Sequence, residues 1–171
     1  SNGGESTNGG DIITDERFDA FELTFDFNFT KGANSGVKYF VDEKYLSTGS
    51  AIGLEYQILD DERHPDAKEG VVGNRTLGSL YDLIPSLKIQ DIPRTWNEGR
   101  VVVHPDNRIE HWLNGRKIVE YQRGTPIYYA LVARSKYNAW AGFGMAEKGH
   151  ILLQDHGDAV SFRSIKIRAL D

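Results

Sequence analysis

The sequence predicts an all-β protein, an antiparallel sandwich or jelly roll, and three observations carry that prediction. Apolar and polar residues alternate with period two through several short segments. The first sets Phe21, Leu23, Phe25, Phe27 and Phe29 against Glu22, Thr24, Asp26, Asn28 and Thr30. Turn-forming residues separate the segments at regular intervals. Helical spacing is confined to one short stretch. The chain has 171 residues, and a chain of this length buries roughly 70% of the surface its unfolded form exposes, so one domain needs no covalent staples. None is available, because cysteine is absent.

Taken in order, residues 1–12 read as a Gly/Ser/Asn-rich flexible linker and 13–171 as one domain. Residues 21–30 form a long strand with one apolar face. "KGANSG" (31–36) is a turn, and "VKYFV" (37–41) is the returning strand. Residues 50–59 make a third strand, with Ile52, Leu54, Tyr56 and Ile58 facing the core and Gly53, Glu55 and Gln57 facing away. A polar loop covers 60–78, and "SLYDLI" (79–84) is a short strand or turn. Residues 99–122 are a hairpin series, turning at His104-Pro105-Asp106-Asn107 and again at Asn114-Gly115. The spacing of Tyr128, Leu131, Val132 and Ser135 predicts a short helix over 127–138. Two strands follow, 150–157 and 159–170. In the last, the apolar phase slips between Phe162 and Ile165, which predicts a β-bulge at 163–164.

Composition excludes several function classes. The formal net charge is −5 with both signs mixed, whereas a phosphate backbone asks for a basic face, so nucleic acid is not an expected partner. No apolar run approaches the roughly 20 residues of a membrane span. Phosphate-loop, zinc-protease and nucleophile-elbow motifs are all absent. Two N-x-T sequons, at Asn28 and Asn74, carry little weight, the first lying inside a strand.

Polar strand faces are where function is to be sought, since in a curved sandwich they can line a concave groove. Glu55 and Gln57 pair a carboxylate with an amide on one such face. The two can bind sugar hydroxyls or act as base and orienting group, although a solvated strand face is the ordinary reading. "LLQDHG" places Gln154 and His156 together opposite Ile151 and Leu153. His111 shares a face with Leu113, and Trp112 lies on the other. Trp96, just before a strand, is either core or groove rim. Asp60, Asp61, Glu62, His64 and Asp66 offer oxygen ligands for a hard cation, yet their spacing fits no EF-hand loop and a solvated loop explains them as well.

Four segments taken in order, "GLEYQILDDERHPDA", "GSLYDLI", "WNEGRVVVHPDNRIEHWLNG" and "ILLQDHGDAVSFRSIKI", resemble the 3-keto-disaccharide hydrolase-type domain of carbohydrate-degrading Bacteroidetes. The resemblance runs from about Thr14 to Leu170. It implies a concanavalin A-like jelly roll of two curved antiparallel sheets, a carbohydrate substrate, and export to the periplasm or cell surface, with a lipoprotein-type tether. There are two departures. An N-terminal segment with a Trp and a Gly-x-Leu strand, usual in such domains, does not precede these residues, and Ser164 stands where the family more often has Asn.

The implied reaction removes the C2 hydrogen of a 3-keto sugar, expels the C1 substituent and adds water. Glu55 or His156 is the implied base. His111, Arg163 and Lys136 are candidate stabilisers of the enolate oxygen. Gln57 and Gln154 would orient hydroxyls, and Trp96, Tyr81 and His64 complete the implied substrate-binding set. The chemistry admits a divalent metal ion, with no ligands assigned. Ordinary glycoside hydrolysis asks for two carboxylates about 5 to 9.5 Å apart, and the strand offers a carboxylate beside an amide. The alternative is a non-catalytic carbohydrate-binding module on the same fold.

Overall fold

The alternating phenylalanines form one strand whose faces separate as the pattern requires. In β2 (Phe21–Phe29), Phe21, Leu23, Phe25 and Phe27 are buried while Glu22, Thr24, Asp26 and Asn28 are partly exposed. The computed structural model describes residues 10–42, 44, 51–87 and 95–171. Among them the other strands are β1 (Ile12–Ile13), β3 (Asn34–Val41), β4 (Leu54–Leu59), β5 (Asn97–Val103), β6 (Arg108–Leu113), β7 (Arg116–Gln122), β8 (His150–Leu153) and β9 (Val160–Ala169). They pair antiparallel in a four-stranded sheet, β1-β8-β3-β4, and a five-stranded sheet, β7-β6-β5-β2-β9. This is a jelly-roll sandwich. The core lies between the sheets, where Phe25 meets Tyr56 edge-on at 5.4 Å.

Local chemistry explains the boundaries. Asn114 and Gly115 both take positive φ, 49° and 79°, so the β6–β7 connection is the two-residue turn expected of Asn-Gly. The strand β1 begins at Ile12, the last residue of the stretch read as linker, and pairs with Leu153. The turn read over 31–36 is shorter than expected, because Asn34, Ser35 and Gly36 are already paired to β4. The helix α1 (Pro126–Ala133) also stops early. Thr125 caps it, its Oγ1 accepting from the Tyr128 amide at 3.2 Å, with Pro126 in the first turn. Ser135 is then extended and its Oγ accepts from the Tyr137 amide at 3.1 Å, starting a separate 3₁₀ turn, Lys136–Ala139.

The bulge lies where the phase slip put it. Thr24 pairs with Lys166 and Asp26 with Arg163, so β9 carries one extra residue, and Ser164 takes φ 53°. A non-glycine residue is disfavoured in that region and Asn tolerates it best. Ser164→Asn is therefore expected to stabilise the protein by ~0.5 kcal/mol, read as a higher urea midpoint at unchanged slope.

Candidate active site

The site is built on the outer face of the four-stranded sheet. All six residues of β4 are buried, although its sequence alternates, because later segments cover the face that looks away from the core. The exposed edge of β4 is also closed. Gly78 N–H donates to the Gln57 carbonyl (2.8 Å), Gln57 N–H to Ser79 (3.2 Å) and Tyr81 N–H to Glu55 (3.1 Å). This pairing sets Tyr81 beside Glu55. On the other side of β3, Gln154 N–H donates to the Gly36 carbonyl at 2.9 Å, carrying the chain after β8 along the same floor.

These segments enclose a cleft of about 120 Å³, lined by Glu55, Gln57, Tyr81, Lys136, Gln154 and His156. Asn34, Lys38 and Tyr137 also line it. The Gln57 amide, with its nitrogen turned to Glu55 Oε1 (3.2 Å) and the Ser35 carbonyl (3.0 Å), donates to the catalytic candidate rather than competing with it. Lys136 Nζ lies 4.2 Å from the Tyr81 ring centre and 5.2 Å from that of Tyr137. Lys38 Nζ donates to the Ala51 carbonyl at 3.1 Å. The His156 ring meets His64 edge-on at 6.4 Å, and its buried Nδ1 has no hydrogen-bond partner within the protein. His64 Nδ1 accepts from the Asp66 amide at 3.2 Å, so His64 carries its proton on Nε2 when neutral.

Burial raises the Glu55 carboxyl above the ordinary carboxylate range, while Lys38, Lys136 and His156 oppose the rise and Asp66 adds to it. Burial lowers the Lys136 ammonium, with Glu55 opposing and Arg75 reinforcing that shift. Each is a charged group held in a site that makes its neutral form easier to reach, the condition for proton transfer near neutral pH. Among the residues lining the cleft, Glu55 is the one carboxylate.

Three sequence expectations are corrected. His111 lies between the sheets, fully buried. Its Nδ1–H donates to the Gly78 carbonyl (3.0 Å) and its Nε2 accepts from the Tyr39 hydroxyl (2.8 Å). Burial depresses its pKa to about 4, so it is a neutral core histidine away from the cleft. Arg163 and Trp96 stack at 4.0 Å on the outer face of the other sheet, where Arg163 Nε also donates to Asp26 at 3.2 Å. Arg163→Ala is therefore expected to leave turnover at the wild-type rate, checked by steady-state kinetics.

The acidic run does not make a cation site. Asp60 accepts from the Gly32 amide at 2.7 Å and pairs with Arg63, Asp61 accepts from the Leu77 amide at 2.7 Å, and Asp66 accepts from Tyr81 and Arg75. Among the described residues no three His, Asp or Glu side chains gather as metal ligands. In the cleft a single carboxylate stands beside two lysines, a lining short of the negative charge that favours a hard divalent cation. Asn74 is buried and its Oδ1 accepts from the Val71 amide at 2.9 Å, so the second sequon is committed to the fold.

Sequence reasoning missed Asn34, Gly36, Lys38 and Tyr137. Lys38 was within reach of the same phase argument, since Val37 and Tyr39 on either side are core. Asn34 and Gly36 were hidden by the turn reading. Gly36 sits directly beneath Glu55, and a Cβ there would lie 2.3 Å from Oε1.

Fold and site together define a jelly-roll protein with a polar cleft on the outer face of its smaller sheet. The chain belongs to the 3-keto-alpha-glucoside-1,2-lyase-like domain family, whose model matches residues 2–168. A 3-keto-disaccharide hydrolase of Bacteroides thetaiotaomicron is 35% identical over 193 residues, an alignment covering 100% of this chain and 66% of that protein. The chain thus spans just under two thirds of that relative's length. A crystal structure of a candidate glycosyl hydrolase from Parabacteroides distasonis is 31% identical with a TM-score of 0.82, covering 94% of this chain and 76% of the other. A second such structure from the same organism is 29% identical with a TM-score of 0.69, covering 94% and 83%. No described helix is long and apolar enough to cross a membrane.

Proposed function

We propose that the cleft cleaves 3-keto-glycosides by elimination and hydration. The observation that carries this reading is a single buried carboxylate, Glu55, sharing one small cleft with two lysines. A ketone at C3 acidifies the C2 hydrogen. Glu55 takes that proton, and the C–H electron pair becomes the C2–C3 double bond of an enolate. Lys38 and Lys136 supply the cationic donors its oxygen needs. The enolate collapses to form C1–C2 unsaturation and expels the C1 substituent with its bonding pair, and His156 is the group available to protonate that oxygen. Water then adds at C1, giving up a proton that restores His156, and the proton held by Glu55 returns to C2, giving the 3-keto sugar and the free aglycone. Asn34, Gln57 and Gln154 offer neutral hydrogen bonds to sugar hydroxyls.

The one-carboxylate lining disfavours ordinary glycoside hydrolysis, which needs a second carboxyl. A non-catalytic binding module could use the same groups as hydrogen-bond partners for sugar hydroxyls, but it would release no aglycone. A 3-keto-glucoside with a chromogenic aglycone, run beside the unoxidised glucoside and with and without added divalent metal, tests the proposal. Aglycone release confined to the keto substrate is expected. Equal release from both, or binding without release, would overturn it.

A further inference from the structure

Arg75 stands behind the cleft wall rather than in it, and it joins two carboxylates that each reach the site with their remaining oxygen. Its Nε donates to Asp82 Oδ1 at 2.7 Å and its Nη1 to Asp66 Oδ1 at 2.9 Å, with Glu69 a third, outer contact at 3.3 Å. Asp82 Oδ2 accepts from the backbone N–H of Lys136 at 2.8 Å. Asp66 Oδ2 accepts from the Tyr81 hydroxyl at 2.8 Å. Both carboxylates are largely withdrawn from solvent, with side chains 15% (Asp66) and 6% (Asp82) exposed. Asp82 is held at φ 61°, a conformation disfavoured for aspartate that persists only where its surroundings impose it.

We propose that Arg75 is a positioning residue for this site, tying Asp66 and Asp82 together so that the Tyr81 ring and the first residue of the Lys136 turn are held in the cleft with Glu55. The inference rests on reading that cleft as the active site. Only a planar guanidinium can serve both carboxylates in this way, through Nε in one direction and Nη1 in the other, whereas an ammonium is a point charge on a flexible stem. Without the cation, two withdrawn carboxylates would face each other uncompensated and separate. Tyr81 and Lys136 would then lose their anchors together.

Lys136 reports on the clamp. The charged groups that act on it are Glu55 from β4 and Asp66, Arg75 and Asp82 from the segment after β4. Lys38 and His156 line the same cleft, and the Tyr81 and Tyr137 rings flank the ammonium. Acetylation of Lys136 by acetic anhydride, followed by peptide mass spectrometry across pH, needs no substrate. In Arg75→Ala the loss of a positive charge favours the ammonium, so the labelling midpoint moves to higher pH and the rate at a given pH falls severalfold. Asp82→Asn leaves one acceptor oxygen in place of two, so it can serve the Lys136 amide or Arg75 Nε but not both, and by removing a negative charge it moves the midpoint to lower pH.

On a 3-keto-glucoside, Arg75→Ala and Arg75→Lys should lose kcat more than KM, with free guanidinium restoring part of the loss in Arg75→Ala. Arg75→Lys keeps the charge and removes the planar fork, so a purely structural role would lower the melting temperature and leave its midpoint at the wild-type value, whereas loss of the clamp moves it. An unshifted midpoint in folded Arg75→Lys overturns the inference. If the wild type releases no aglycone while the midpoints move as described, the proposed reaction fails and the clamp stands.

Discussion

Glu55→Gln is expected to abolish turnover of a 3-keto-glycoside, with kcat/KM falling about 10²–10⁴-fold, the range over which a positioned base contributes. The substitution keeps volume and strand pairing and removes only the ability to accept a proton. Stability should move the other way. Burial raises the Glu55 carboxyl in the folded state, so folding favours the protonated form. The stabilisation from that form is complete below the unfolded value and is lost as pH rises through the folded one. Above that folded value the wild type holds an ionised carboxylate in a desolvated cleft and the variant does not. The variant should therefore melt at or above the wild-type temperature there, and the gap should close on acidification. The wild-type rate should in turn fall on its acid side at a pH above the ordinary carboxylate range. An active Glu55→Gln protein would refute the assignment of the base.

Gly36→Ala should be the second most damaging change, by a different route. Gly36 is paired in β3 opposite Gln57 and is not at a positive φ, so the backbone accepts alanine. The added Cβ, however, would lie 2.3 Å from Glu55 Oε1 and 2.9 Å from its Cγ and Cδ. The carboxylate has to give way by about an ångström, and misplacing a reacting group by that much costs about 10²-fold in rate. Alanine also lowers the entropy of the unfolded chain relative to glycine, which offsets part of the local crowding. A large loss of kcat at a nearly unchanged melting temperature is the expected result. Melting lowered in step with activity would mean that Gly36 serves packing alone.

How much of this could be read beforehand varies by element. The strands were legible wherever one face is buried, because alternation at period two has one solution for Phe21–Phe29. The bulge at Ser164 was legible for the same reason, as a slip in that phase. Glu55 and Gln57 were legible as a polar face, and Gln154 with His156 as another. His111 was misplaced because its strand phase could not reveal that the face it shares with Leu113 looks inward. Trp96 and Arg163 were misplaced because aromatic and cationic side chains suit a sugar site and an outer-face stack equally well.

Local pattern by itself determined the fold class, the strand faces, the Asn-Gly hairpin and the pairing of Glu55 with Gln57 on one face. Those features depend on neighbours two to four residues away, and the sequence displays such neighbours directly. Which polar faces meet was decided only in three dimensions. Glu55 gains Lys38 from the adjacent strand, Tyr81 from a segment that closes a sheet edge, and Lys136 and His156 from still farther along the chain. Desolvation has the same origin, since β4 is buried on both faces only because those distant segments fold over it. Convergence and burial are properties of long-range packing, and no spacing within the chain encodes them.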